Sequence, residues 1–302
     1  MIGARQLRLE DPGLLTGADR YTADLDVPGA LTAVFVRSVM AHARIDSVDT
    51  TEAAGAPGVV AVFTAADLDL PAVGIAAFTA MVPAAFRRFP LARSVVRFVG
   101  EAVAVVVAET EAQARDAADL VEVDYDPLPA LVDPVAAAAD GAERLFPDTA
   151  SNVALHLAYE AGEPCPDATV RVRTLVEHPR MAVAPMEPNA IVAEPGPEGR
   201  LTMWVSSQWP HRMRDVTAEL LGMAPADLRV VCPAVGGGFG GKTPAEPDYV
   251  LVAAIARRLG RPVRWVQTRS ENLLTMQPAG TASTSPSRRR RRAACAASRS
   301  TC

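Results

Sequence analysis

Residues 236–243 read GGGFGGKT, five glycines with one aromatic side chain and one lysine. Such a run lets backbone approach a bulky group closely, and its N–H groups can bind anionic oxygens. The run formally matches the phosphate-loop pattern G-x-x-x-x-G-K-[ST], between an apolar strand-like run and a helix-like one. On that pattern alone the chain would be a nucleoside triphosphatase using Lys242 and Thr243. Three features argue against it. A phosphate loop runs straight into its helix, whose first amides face the phosphates; here Pro244 and Pro247 each remove a donor. The Mg²⁺ site needs an apolar strand ending in Asp, and no good candidate lies downstream. The run also sits near the end of the chain, whereas a phosphate loop opens its domain. A plainer reading is a turn that lets a strand and a helix pack closely.

Other chemistry is thinly signalled. Cys165, Cys232, Cys295 and Cys302 form no CxxC pair and have no histidine spacing suited to zinc. Cys232 lies in an apolar run and reads as a small buried hydrophobe. Hydrophobic residues make up 49% and charged residues 22% of 302, ordinary for a globular chain. No apolar run reaches the roughly 18 residues that would span a membrane. The first residues lack the apolar core of a secretory signal, so the expected compartment is the cytoplasm. Six of the 30 basic residues crowd into 278–302, which holds no acid, so the body is distinctly acidic. An acidic body argues against nucleic acid as a partner.

These residues must be held by elements, and the pattern predicts which. Strands are expected at 30–38, 58–64, 101–108, 121–125, 170–177, 201–206, 228–232 and 263–267. A loop carrying His42 and Arg44 follows the first. Thr110 and Gln113 have capping-box spacing for a helix over 111–120. The strand–helix–strand unit of 101–125 suggests a right-handed crossover, if its strands are parallel in one sheet. Pro210 suits the first turn of a helix ending before Gly222. Residues 248–259 form a helix apolar on most sides, hence buried, and Gly260 ends it. Residues 71–90 are irregular and 178–188 are Pro-rich and loop-like. A boundary falls in 127–150. Residues 278–302 lack Leu, Ile, Val, Met and aromatics, so they are expected to be disordered. Their composition suits a GC-rich gene read out of frame, and no function is assigned to their arginines.

The segment SSQWPHRMRDVTAELLGMAPADLRVVCPAVGGGFGGK, residues 206–242, resembles the xanthine dehydrogenase/aldehyde oxidase/carbon monoxide dehydrogenase family of molybdenum hydroxylases. Their large subunits carry a Q-x-P-H helix start, a short L-G turn, a strand, then G-G-G-F-G-x-K. LLTGADRYTADLDVPGALTAVFVRSVMAHARIDSVDT, PGVVAVFTAADL, VGEAVAVVVAETEAQARDAADLVEVDYDPLPALVDP and APMEP are similar to that family in the same order. The likeness covers roughly residues 10–277. It implies an α+β fold: an α/β hammerhead domain over 1–130, a linker at 131–150, and the first part of a molybdenum-cofactor-binding α+β domain over 151–277. A full large subunit is more than twice this length, so the chain is expected to be truncated, poorly soluble and inactive alone.

The resemblance implies Mo-molybdopterin as cofactor, with the cytosine dinucleotide as one form. It implies oxidative hydroxylation of an aldehyde, an N-heterocycle or carbon monoxide, with water as oxygen source. Gln208 would donate a hydrogen bond to an oxo group of the metal, a task suited to a neutral amide. Phe239 would lie beside the metal and shape the substrate pocket. Gly237, Gly238 and Gly240 would bind the cofactor, Gly238 and Gly240 through their amides. His211 would cap or pack at the helix start, and Glu187 would be structural. Purine-oxidising members place a glutamate where this chain has Thr243, which counts against xanthine. FAD and 2Fe-2S clusters are expected on a medium and a small partner subunit, in a dimer of heterotrimers. A non-catalytic interaction module is the remaining alternative.

Overall fold

Ala102–Ala108 (AVAVVVA) is buried along its whole length. Such a strand needs a neighbour on each edge and cover on each face. The computed structural model of the chain describes residues 3, 5, 7–72, 83–156, 181–243 and 246–276. Among them are ten strands: β1 (Leu31–Arg37), β2 (Ala43–Asp49), β3 (Val59–Thr64), β4 (Val95–Val96), β5 (Ala102–Ala108), β6 (Glu122–Pro127), β7 (Ala190–Pro195), β8 (Leu201–Val205), β9 (Leu228–Val231) and β10 (Val263–Val266). The α-helices among them are α1 (Asp11–Thr16), α2 (Thr51–Ala54), α3 (Glu111–Ala118), α4 (Pro134–Ala137), α5 (Pro210–Leu220), α6 (Pro247–Leu259) and α7 (Arg269–Thr275). The predicted strand 170–177 and the tail 278–302 lie outside the described residues, as do parts of 71–90 and 178–188.

Seven strands form one sheet in the order β3-β5-β1-β10-β7-β8-β9. Here β1 and β10 are parallel, as are β8 and β9; the other pairs are antiparallel. A smaller sheet has the order β4-β2-β6. The first compact unit comprises Met1–Ala130 with Ala182–Gly280. Strands from before and after residue 150 thus share one sheet, joined where Leu31 pairs with Val263 and Thr32 with Arg264. The second unit contains Leu131–Met181. In it Asp133 caps α4, and the Asn152 amide bonds the carbonyls of Ala137 and Glu143.

The expected crossover is not formed. β5 lies inside the large sheet and β6 on an edge of the small one. The burial patterns give the reason: β5 is apolar and buried throughout, whereas β6 alternates and exposes Glu122 and Asp124. β5 therefore suits the interior of the large sheet, and β6 suits a sheet edge with one face open to water. The helix between them, α3, has the expected capping box, with Gln113 N–H donating to Thr110 Oγ1. The loop expected after β1 is also corrected. Residues 43–49 form β2, which pairs Arg44 with Asp126 and Ser47 with Asp124 and packs Ala43, Ile45 and Val48 into an apolar cluster with Val96 and Val103. His42 is buried just before it, its Nδ1 2.8 Å from the Pro129 carbonyl.

α6 is buried on most of its surface and packs on β7, β8 and β10, so its apolar cover is found within this chain. Pro247 opens it, and Gly260 closes it with φ +63°. α5 likewise starts at Pro210 and buries Met213 and Val216, while Leu220 and Leu221 pack partly buried at the core margin. The core stacks Tyr249 of α6 edge-on against Trp265, and Trp265 edge-on against Phe35. No helix among the described residues is long and apolar enough to cross a membrane.

Candidate functional site

β8 ends at Val205, and the chain then turns through Ser206, Ser207, Gln208 and Trp209 into α5. That turn meets the glycine loop. Gln208 Oε1 accepts the amide of Gly240 at 2.9 Å and that of Lys242 at 3.3 Å. In return, Gln208 N–H donates to the Lys242 carbonyl at 2.9 Å, and Ser207 Oγ reaches the same carbonyl at 3.3 Å. Two N–H donors on one oxygen fix which way the carboxamide faces. The –NH₂ is therefore the free end, on a side chain exposed to solvent.

Gly238 lies directly against Gln208: a Cβ there would come 2.4 Å from the carboxamide. Here glycine is required for space. At Gly237 (φ +94°) and Gly240 (φ +85°) it is required for conformation. Phe239 between them also has positive φ, +50°, and its ring is two-thirds exposed. An aromatic residue in the left-handed region costs roughly 1–2 kcal/mol, and such strain clusters at functional sites. The loop tip has open donors. Among the described residues, the N–H groups of Gly237, Gly238 and Phe239 meet no acceptor. Consecutive amides of this kind form an anion-binding concavity. Gly240 differs, because its amide is committed to Gln208.

Lys242 does not face this opening. It is 1% exposed, with Nζ 3.0 Å from Glu187 Oε2 and 2.7 Å from Ser206 Oγ. Burial lowers its pKa, and the Glu187 carboxylate works against that fall. An ammonium sequestered in this way is not available to a nucleotide phosphate, and Thr243 Oγ1 is turned back onto the Gly240 carbonyl at 2.7 Å. Glu187, expected to be structural, is a hub: Oε2 also accepts Ser206 Oγ at 2.6 Å and the Gly236 amide at 2.7 Å. His211 is exposed, and no side chain caps α5, so it neither caps nor packs. Cys232 is a half-buried free thiol whose pKa burial raises.

Several supporting residues were not foreseen. Tyr249 Oη donates to the Ser206 carbonyl at 2.9 Å and steadies the end of β8 from α6. Arg269 of α7 donates to the Pro185 and Met186 carbonyls at 2.5 and 2.9 Å, fixing the chain just before Glu187. The Thr268–Glu271 capping box that starts α7 was the available sequence signal. Deeper in, Arg37 bonds Asp248 at 2.8 Å and Glu271 at 2.9 Å and lies over Phe35 and Trp265. Burial opposes its charge, but the two carboxylates outweigh that and hold it above its usual range. Beside it Glu246 is buried with Oε1 unpartnered among the described residues. Burial first, then the Asp248 charge, push its pKa from 4.5 up to about 8. No group of His, Cys, Asp and Glu among the described residues could hold a metal ion.

Comparison with known proteins gives two adjoining matches. Residues 16–129 match the family model described as the a/b hammerhead domain of aldehyde oxidase and xanthine dehydrogenase. Residues 145–284 match the molybdopterin cofactor-binding domain. The chain is 39% identical over 278 residues to the nicotine 6-hydroxylase large subunit of Paenarthrobacter nicotinovorans, covering 91% of this chain and 34% of that one. It is 38% identical over 292 residues to the carbon monoxide dehydrogenase large chain of Afipia carboxidovorans, covering 91% and 36%. The crystal structure of quinoline 2-oxidoreductase from Pseudomonas putida 86 superposes with a TM-score of 0.80 at 37% identity, over 89% of this chain and 35% of that one. The chain thus spans about a third of the length of the curated relatives it matches.

Proposed function

Because the chain belongs to the family of molybdenum hydroxylase large subunits, we propose that it supplies one wall of a molybdopterin site used for oxidative hydroxylation. The observation that carries this is the Gln208 carboxamide, pinned through its oxygen to the glycine loop so that its –NH₂ is left to donate. The residues present fit the cofactor. Gly238 lets Gln208 lie against the loop, Gly237 takes the positive φ of the turn, and the open amides of 237–239 suit an anionic oxygen. Phe239 offers an exposed aromatic face beside them. Gly240 acts at one remove, by orienting Gln208.

When bound, the cofactor supplies the redox chemistry, with water as the source of the inserted oxygen. The chain's share is binding and orientation. Gln208 –NH₂ would donate to an oxygen of the bound group without adding charge, and the loop amides would hold its anionic groups. Phe239, exposed at the loop tip, would wall the substrate side. The proposed substrates are aldehydes, N-heterocycles or carbon monoxide, and Thr243 leaves no carboxylate after the loop for a purine. The cytosine dinucleotide form, and FAD and 2Fe-2S clusters on medium and small partner subunits in a dimer of heterotrimers, belong to the same proposal. So does the division of the chain at 131–150, which the gap between the two matched segments supports. The compartment proposed is the cytoplasm, where a free thiol such as Cys232 stays reduced.

The test is to produce the full chain in cells that make the cofactor and to measure released oxidised pterin by fluorescence. Pterin near one per chain is expected. A pterin-free chain that binds Mg·ATP through Lys242 would overturn the reading.

A further inference from the structure

Lys242 is the only lysine in the chain, and the site described above leaves it without a task. Its surroundings supply one. The ammonium is buried between Glu187 Oε2 and Ser206 Oγ, at 3.0 and 2.7 Å. The same Oε2 accepts the Gly236 amide at 2.7 Å, and Glu187 N–H returns to the Gly236 carbonyl at 3.1 Å. One carboxylate oxygen therefore holds the first glycine of the loop and, through the ammonium, the residue that ends the glycine run. Approach is so close at the first end that a Cβ on Gly236 would sit 2.5 Å from Glu187 Cβ. At the other end Lys242 is fixed at three points: Nζ by Glu187, N–H by Gln208 Oε1, and the carbonyl by Gln208 N–H. Between these ends, the N–H groups of 237–239 have no partner among the described residues, and the tip's own backbone bond runs from the Gly241 amide to the Gly238 carbonyl at 2.8 Å. A tip with so little support of its own depends on how its ends are held.

We propose that Glu187 is a positioning residue, which draws both ends of the glycine loop onto the end of β8 with Lys242 as its counter-ion and thereby sets the Gln208 carboxamide. A carboxylate suits the task because it accepts several donors at once, and charge-assisted bonds are the stronger ones. A buried carboxylate with three donors also needs a cation to offset its desolvation, which accounts for a lysine in place of a neutral residue. The inference rests on the cofactor reading only for what the loop holds.

The single lysine makes the test direct. An amine-acylating reagent can modify only Lys242 and the N-terminal amine. In the folded full chain, Lys242 is expected to react at least ~10-fold more slowly than in urea, and E187Q should restore at least ~10-fold of that rate. Amide hydrogen exchange is followed in the same samples. Exchange at Gly236 and Gly240 should rise in E187Q and in K242M, while the amides of β5 keep their protection; E187D should recover part of the loop protection. Rapid acylation of Lys242 in the native chain would overturn the proposal. So would unchanged loop exchange in both variants, or loss of β5 protection in parallel with the loop.

Binding of isolated molybdopterin to the same proteins separates this inference from the functional one. If the unmodified chain takes up no pterin while the loop responds as described, the functional reading falls and the positioning of the loop stands. If the unmodified chain and E187Q bind pterin equally well, the positioning role is overturned.

Discussion

At the scale of single residues, the site is a set of exact donor and acceptor allocations. Gln208 has its oxygen occupied and its –NH₂ free, Gly238 makes room for it, and Lys242 is turned inward. Glu246 carries a separate consequence. Its pKa is near the ordinary value of 4.5 when unfolded and about 8 when folded. The native state thus holds a proton that the unfolded state gives up, and stability falls as pH rises from about 4.5 to about 8. Asp248 deepens the effect, while Arg37 and Arg88 moderate it. E246Q cannot ionise, so it should flatten that slope and be the more stable protein at pH 8, by an amount on the order of a few kcal/mol. Urea midpoints at pH 5 and pH 8 check this; an unchanged slope in E246Q would oppose it. The glycine loop and Gln208 were legible in the sequence because their residue types are unusual together. The Glu187–Lys242 bond was not: the partners stand 55 positions apart, and nothing local couples them.

At the scale of elements, legibility followed local signals. β5 and α6 were readable from continuous apolar runs, and α3 from its capping box. β7 was missed because AIVAEP is short, follows Pro188 closely and ends on Pro195. β2 was missed because a register shift between Ile45 and Ser47 breaks the period-2 alternation of its apolar residues Ala43, Ile45 and Val48. The elements are then fastened by Arg37, which joins β1 to α6 through Asp248 and to α7 through Glu271. All three side chains are mostly buried, at 9%, 12% and 19% exposed. Removing one partner of such a network leaves uncompensated buried charge, at a cost of about 3–5 kcal/mol. R37M should therefore lower the urea midpoint strongly although it lies outside the glycine loop. A change within about 0.5 kcal/mol, as expected for ordinary surface positions, would contradict this account of the network.

At the scale of the whole molecule, the sequence predicts consecutive regions, whereas the first compact unit interleaves them in one sheet. The pairing of β1 with β10 spans more than 200 positions, so no local pattern could announce it. Its effect is to seat β8, and with it Gln208, in the same sheet as the buried β5. A rigid sheet and a strained loop then meet at one carboxamide, and the central claim is that this amide donates to the cofactor. The most direct measurement is equilibrium binding of isolated Mo-molybdopterin to the full chain and to Q208A and Q208E at neutral pH. Q208A loses the donor, while Q208E adds a negative charge that faces anionic oxygens. Binding should therefore weaken in the order unmodified chain, Q208A, Q208E, with the glutamate variant down by at least ~10-fold. Q208E binding as tightly as the unmodified chain would contradict the account.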